Sequence, residues 1–81
     1  MSTELSGVAT VLAVIVSVAP EVEGELGALD RNADVFESLG LDSMDHLDVM
    51  TGIAERTGIE IPEREYGQLR SVSALAERIT V

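Results

Sequence analysis

Leu39-Gly40-Leu41-Asp42-Ser43-Met44-Asp45-His46-Leu47-Asp48-Val49-Met50 is the stretch around which the chain is organised. Asp42 is a favoured N-cap residue, and Asp45 stands three positions later at the capping-box spacing, with Asp in place of the usual Glu. Gly58 supplies the residue that can close a helix in the left-handed conformation, so the pattern predicts a helix over 43–57. Such a helix mouth presents unpaired backbone N–H groups and the positive end of the peptide dipoles, and can hold a phosphate close to its first residue, here Ser43. Stepping about 100° per residue places Leu47, Met50, Ile53 and Ala54 in one arc, and Asp45, Asp48, Gly52, Glu55 and Arg56 in another. Met44 falls with the acids. Gly52 costs about 1 kcal/mol against alanine and should soften the helix.

On the N-terminal side, residues 3–19 fit either a helix or a buried strand by periodicity, and length decides for a helix. Ser2 or Thr3 caps it, Glu4 suits its first turn, Leu5, Val8, Leu12, Ile15 and Ala19 form its stripe, and Pro20 stops it. Residues 20–42 hold Pro20, Gly24, Gly27, Asn32 and Gly40, a density of breakers that reads as a long loop. A loop of that length in a small domain must be pinned, by Leu26, Leu29, Val35, Phe36, Leu39 and Leu41, with short helical turns over 26–29 and 34–39. Beyond the central helix, residues 59–62 form an extended link ended by Pro62, and 63–69 a short helix with Tyr66 and Leu69 inward. Ser71 caps a last helix whose inner stripe is Val72, Leu75, Ala76 and Ile79, with Glu77 and Arg78 toward water. The expected fold is all-α, a four-helix bundle of three longer helices and one short one, with a long loop between helices 1 and 2.

The 81 residues leave room for one domain with one modest core. One Phe, one Tyr and no Trp mean that aliphatic side chains must build it. With no cysteine there is no disulfide framework and no thiol nucleophile, so any thiol chemistry must be imported. Fifteen acidic residues against five basic ones give a formal charge of −10. That balance sets nucleic acid aside and disfavours anionic membranes, while it suits basic protein partners. The apolar run over 7–19 is too short to cross a bilayer and lacks the basic residues that open a signal peptide, so the chain reads as cytoplasmic.

A hydrolase built on Ser43, with His46 as base and Asp45 or Asp48 as orienter, fails on geometry, because side chains of one short helix face splay outward and the Gly-x-Ser-x-Gly elbow is missing. A dedicated metal site among Asp42, Asp45, His46, Asp48 and Glu55 fails similarly, since no loop has the alternating oxygen ligands of an EF-hand. His46 reads as a core-edge histidine instead of a ligand or base. Met44, an adaptable apolar side chain among Asp45, Asp48 and Glu55, has the chemistry of a docking anchor ringed by charge.

Through the Gly-x-Asp-Ser-apolar signature at 40–44, the acidic amphipathic helix and the Gly58-Ile59-Glu60-Ile61-Pro62 exit, the chain resembles the acyl carrier proteins over residues 35–80. The resemblance implies a non-catalytic four-helix carrier of one domain, 1–81, on which Ser43, with Asp42 as its motif partner, bears a 4'-phosphopantetheine arm taken from coenzyme A. It implies acyl groups held on the arm as thioesters, and a surface of Met44, Asp45, Leu47, Asp48, Met50 and Glu55 facing partner enzymes, with Ile61 bordering the acyl chain. The implied partners are a phosphopantetheinyl transferase, an acyl ligase or acyltransferase, and a ketosynthase, served by a monomer. A chain that opens at Met1 and ends just after its last helix fits a free-standing carrier. The longer first loop, the Val-rich first helix, Gly52 and Arg56 depart from the common fatty-acid members and leave polyketide, specialised lipid, aminoacyl or peptidyl, and fatty acid pathways open. The contrasting expectation is an unmodified acidic helical adaptor for a basic partner.

Overall fold

The computed structural model describes residues 3–79, with side chains from residue 7 onward. The expected cap at Ser2 or Thr3, Glu4 in the first turn and the inward Leu5 lie outside the described residues or side chains. All regular elements among the described residues are helical: α1 (Thr3–Val18), α2 (Val35–Ser38), α3 (Ser43–Thr57) and α4 (Val72–Ile79), with 3-10 segments at Pro20–Ala28 and Glu63–Gln68. The three longer helices and the short 3-10 segment before α4 make the expected bundle, and α2 is a single added turn inside the first connection.

α1 packs on both α3 and α4. Its buried stripe is Val8, Val11, Val14 and Ile15, continued by Ala19 just past its end, while Leu12, expected at the centre, lies at the edge of the core and is only partly buried. The displacement follows from having two neighbours: a helix covered on two sides buries a broader arc than a single line of positions. The core is aliphatic apart from Phe36, with Val49, Met50, Ile53, Val72 and Leu75 buried beside the α1 residues. Each such side chain contributes about 1.5–3 kcal/mol by leaving water.

The connection over 20–42 is more regular than its breakers suggest. Pro20 opens a 3-10 segment at the position where a missing N–H costs nothing, and that segment runs to Ala28 instead of forming one turn over 26–29. It is tethered by Val22, which is buried and was not among the expected anchors, with Leu26 and Leu29 partly buried. Asp34 caps α2, accepting from the N–H groups of Phe36 and Glu37 at 3.0 Å each. Two distant backbone bonds then fasten the connection to the approach to α4: Val35 N–H donates to Arg70 C=O at 2.7 Å, and Ser73 N–H to Arg31 C=O at 2.9 Å. Gly40, at φ 68°, turns the chain from α2 toward Ser43 in a conformation that favours glycine.

The last helix is capped as expected, Ala74 N–H donating to Ser71 Oγ at 3.0 Å, and Leu69, Val72, Leu75 and Ala76 are buried. Arg78 does not simply face water. Its Nε donates to Glu65 Oε1 at 2.8 Å, tying α4 to the second 3-10 segment and holding the Glu65 carboxyl below its usual range.

Candidate functional site

α3 begins and ends where its sequence signals stand. Asp45 N–H donates to Asp42 Oδ1 at 2.9 Å and Asp42 N–H to Asp45 Oδ2 at 3.2 Å, a reciprocal capping box. Gly58, at φ 73°, closes the other end with its N–H on the Ala54 carbonyl. Both carboxylates at the mouth are therefore occupied by backbone donors.

Ser43 is the first residue of α3 and is exposed, and no described residue hydrogen-bonds its hydroxyl. The amides of Ser43 and Met44 lie in the first turn, where the helix offers them no acceptor. An outward hydroxyl beside two free N–H groups and the positive helix end is a donor set that fits a phosphodiester on Oγ. It does not fit a nucleophile with its own base. The nearest imidazole, His46, is buried at 7% exposure and engaged behind the helix.

The arc that α3 turns inward is His46, Val49, Met50 and Ile53, rotated from the expected one. Leu47, which helical spacing groups with the core arc and the resemblance puts on the partner-facing surface, is 45% exposed, and Met44 is 66% exposed. With Asp48, Thr51 and Glu55, also exposed, they fall at i, i+3, i+4, i+7 and i+11 along one outer face. Two large apolar side chains followed by two carboxylates thus stand open to a partner. Asp45, half-buried and committed to the capping box, sits at the border of this face. Met50 is a correction: at 2% exposure it belongs to the core and cannot meet a partner on the outer face. Gly52 is another. It was placed on the outer arc, yet a Cβ there would stand 2.8 Å from Val14 Cγ1, so it marks the close approach of α1 to α3.

Between α3 and the second 3-10 segment lies an open cleft of about 510 Å³, formed by Met50, Thr51 and Ala54 on one side and Ile61, Pro62 and Tyr66 on the other, with Glu60 beside them. Ile61 is buried, so it is a wall of this cleft and no part of the outer face. Glu60, Thr51 and Tyr66 give it polar groups, and of these Thr51 carries no signal in the sequence.

Behind the helix mouth, residues far apart in sequence meet. The His46 ring stacks on Phe36 with centroids 4.0 Å apart and faces Tyr66 at 5.6 Å. Arg70 lies 5.4 Å over the Phe36 ring, pairs with Asp34 through Nε, and brings Nη1 to 3.4 Å from His46 Nδ1. The guanidinium holds the Asp34 carboxyl below its usual range. Burial, then the charge of Arg70, lower the His46 pKa from 6.5. Nothing local in the sequence pointed to Arg70, which is 36 residues from Asp34.

Among the described residues no cluster of three His, Cys, Asp or Glu could hold a metal ion, and no helix is long and apolar enough to cross a membrane.

The family model for the phosphopantetheine attachment site matches residues 9–79. Over 57 residues the chain is 32% identical to the mitochondrial acyl carrier protein of Dictyostelium discoideum, a match covering 70% of this chain and 48% of that protein. The chain therefore spans about half the length of this curated relative. No solved structure matches at comparable significance. The chain belongs to the phosphopantetheine attachment family: it is a carrier domain of the acyl carrier protein type, bearing covalent 4'-phosphopantetheine, and is not itself an enzyme.

Proposed function

From this family membership, we propose that Ser43 is the attachment residue and that the domain presents acyl thioesters to the enzymes of a fatty acid, polyketide or related assembly pathway. The observation that carries the assignment is the exposed, unpartnered Ser43 hydroxyl at a capped helix mouth with two free amides beside it. The arm supplies the thiol that this cysteine-free chain lacks. Everything else is done by the protein: Asp42 and Asp45 fix the mouth of α3, and the first-turn amides neutralise a phosphate next to Oγ. Met44 and Leu47 offer apolar contact, and Asp48 and Glu55 steer basic patches of a phosphopantetheinyl transferase, an acyltransferase or a ketosynthase. The cleft walled by Ile61 lies on the flank of the same helix and is placed to shelter an acyl group. A monomer in the cytoplasm suffices for this scheme.

The test is intact mass after incubation with coenzyme A and a broad-specificity phosphopantetheinyl transferase. The wild-type chain gains one arm and Ser43→Ala gains none, whereas loading of Ser43→Ala overturns the assignment. Asp48→Lys with Glu55→Lys leaves the helical circular dichroism intact and slows loading and partner turnover; unchanged rates with every partner would place the docking face elsewhere. An unmodified adaptor, the contrasting function, would gain no mass and still bind a basic partner in a salt-dependent way.

A further inference from the structure

His46 is the chain's one histidine, and it lies one helical turn beyond Ser43 with its side chain turned into the core. A carrier that attaches its arm at an exposed serine has no chemical need of a buried imidazole there. Its contacts define its protonation. Arg70 Nη1, 3.4 Å from His46 Nδ1, can only donate, so Nδ1 must be the acceptor. The ring proton then belongs on the buried Nε2, and the Leu69 backbone, which hydrogen-bonds the ring, favours keeping a proton on it. A neutral ring with its proton on Nε2 satisfies the Arg70 contact, and a proton on Nδ1 does not.

We propose that His46 is a positioning residue for Ser43: wedged as a neutral ring between Phe36 and the Arg70–Asp34 pair, it latches the first turn of α3, and a proton on Nδ1 opens the latch. The proposal rests on Ser43 being the attachment residue. Three segments converge on the ring. Phe36 comes from α2, Tyr66 from the second 3-10 segment, and Arg70 from the entry to α4. The backbone carries the constraint to the site, because His46 N–H donates to the carbonyl of Asp42, the N-cap, at 3.0 Å. A proton on Nδ1 would set donor against donor and place a second positive charge beside the guanidinium.

The charged groups that face the ring are Arg70, which opposes the proton, and Asp34, which favours it through space, as does a hydrogen bond with the Leu69 backbone. The second 3-10 segment contributes the Tyr66 phenol. On its own helix the Asp42 and Asp45 carboxylates are held in the capping box, and Asp48 is exposed. Burial opposes the proton most strongly, so the ring titrates below 6.5, the ordinary value that it regains when the chain unfolds. The unfolded chain thus takes up its proton first as pH falls, and the latch loses stability from about pH 6.5 downward until the folded ring is protonated too.

A single histidine gives a single ring resonance, which makes the test direct. In the unmodified protein, the His46 ring protons and the amides of Asp42, Ser43 and Met44 are followed by NMR through an acid titration. Arm loading by the transferase is measured in parallel at about pH 7.5 and about pH 5.5 for wild type, His46→Phe and His46→Gln. His46→Phe keeps the stack, His46→Gln keeps an acceptor for Arg70, and neither can titrate. The expected result is a common midpoint below 6.5 for the ring and the amides, lost in both variants. Loading of wild type should fall, relative to either variant, in proportion to the fraction of rings that the NMR titration shows protonated at the lower pH. Taking ratios cancels the transferase's own pH dependence. A ring that titrates while the Ser43 amide stays silent, or loading ratios that do not change although the ring is protonated at the lower pH, overturns the latch. If no chain accepts the arm, it is the Ser43 assignment that fails, and the amide titration still decides whether the latch exists.

Discussion

At Gly52 the space for a side chain is already taken: a Cβ would stand 2.8 Å from Val14 Cγ1, a buried atom of the facing helix. Alanine there gains about 1 kcal/mol of helix propensity, but forcing a methyl into a packed contact costs about 1–3 kcal/mol. Gly52→Ala is therefore expected to be destabilising by about 1 kcal/mol in urea unfolding, despite alanine's preference for helices. Val14→Ala removes the obstructing methyl, so the double variant should lose less than the two single losses added together, a coupling of about 0.5 kcal/mol or more. Strict additivity would show that α1 and α3 do not touch there. This residue was misplaced from sequence for a physical reason, since a wheel assigns faces by side-chain polarity and glycine has none. Helical spacing alone misplaces Leu47 for the converse reason: an apolar side chain kept at the surface looks like core until the packing is known, and only the family resemblance puts it outward. Ser43 and Met44 were legible because the capping signals fix the register at the helix mouth, where position alone sets exposure.

Elements with signals at their ends were placed correctly, as α3 shows from Asp42 to Gly58. The first 3-10 segment was not, because it buries only Val22 and so writes no periodic stripe into the sequence. What holds the connection over 20–42 is also invisible to periodicity, being a backbone bond from Val35 to Arg70 and one from Ser73 to Arg31. The capping box gives α3 a measurable dependence on its first residue. Asp42→Ala removes the acceptor of the Asp45 N–H and should lower stability by about 1 kcal/mol, while Asp42→Ser, which still caps, should lose only a few tenths. Chemical denaturation of the three chains checks the order. Equal stability of Asp42→Ala and wild type would mean that water replaces the cap without loss.

Across the whole molecule, a charge of −10 is carried on a domain whose largest extent is 30 Å, and that sets the balance between attraction and repulsion. The described ion pairs are Asp34–Arg70 and Glu65–Arg78, both partly exposed. Pairs of that kind contribute about 0–1 kcal/mol each and weaken as salt rises. Against them stand the remaining thirteen of the fifteen acidic side chains, with only three of the five cations left among them, several of the acids on the exposed first 3-10 segment and on the outer face of α3. At low ionic strength the Debye length is about 30 Å at 0.01 M, so nearly every acid feels every other, whereas at 0.15 M it is about 8 Å. Screening must then relieve more repulsion than it costs in attraction. The melting temperature at pH 7 should rise steadily from about 0.01 M to about 0.5 M sodium chloride, by several degrees for a domain of this size, since 1 kcal/mol corresponds to roughly 4–8 °C. Magnesium at equal ionic strength should raise it no more than modestly beyond sodium, because no described cluster encloses a cation. A melting temperature that falls with sodium chloride would show that the two ion pairs outweigh the repulsion. On the proposed docking of a basic partner at Asp48 and Glu55, the same excess of acid that loosens the free domain would attract that partner, so salt that stabilises the fold should slow arm loading.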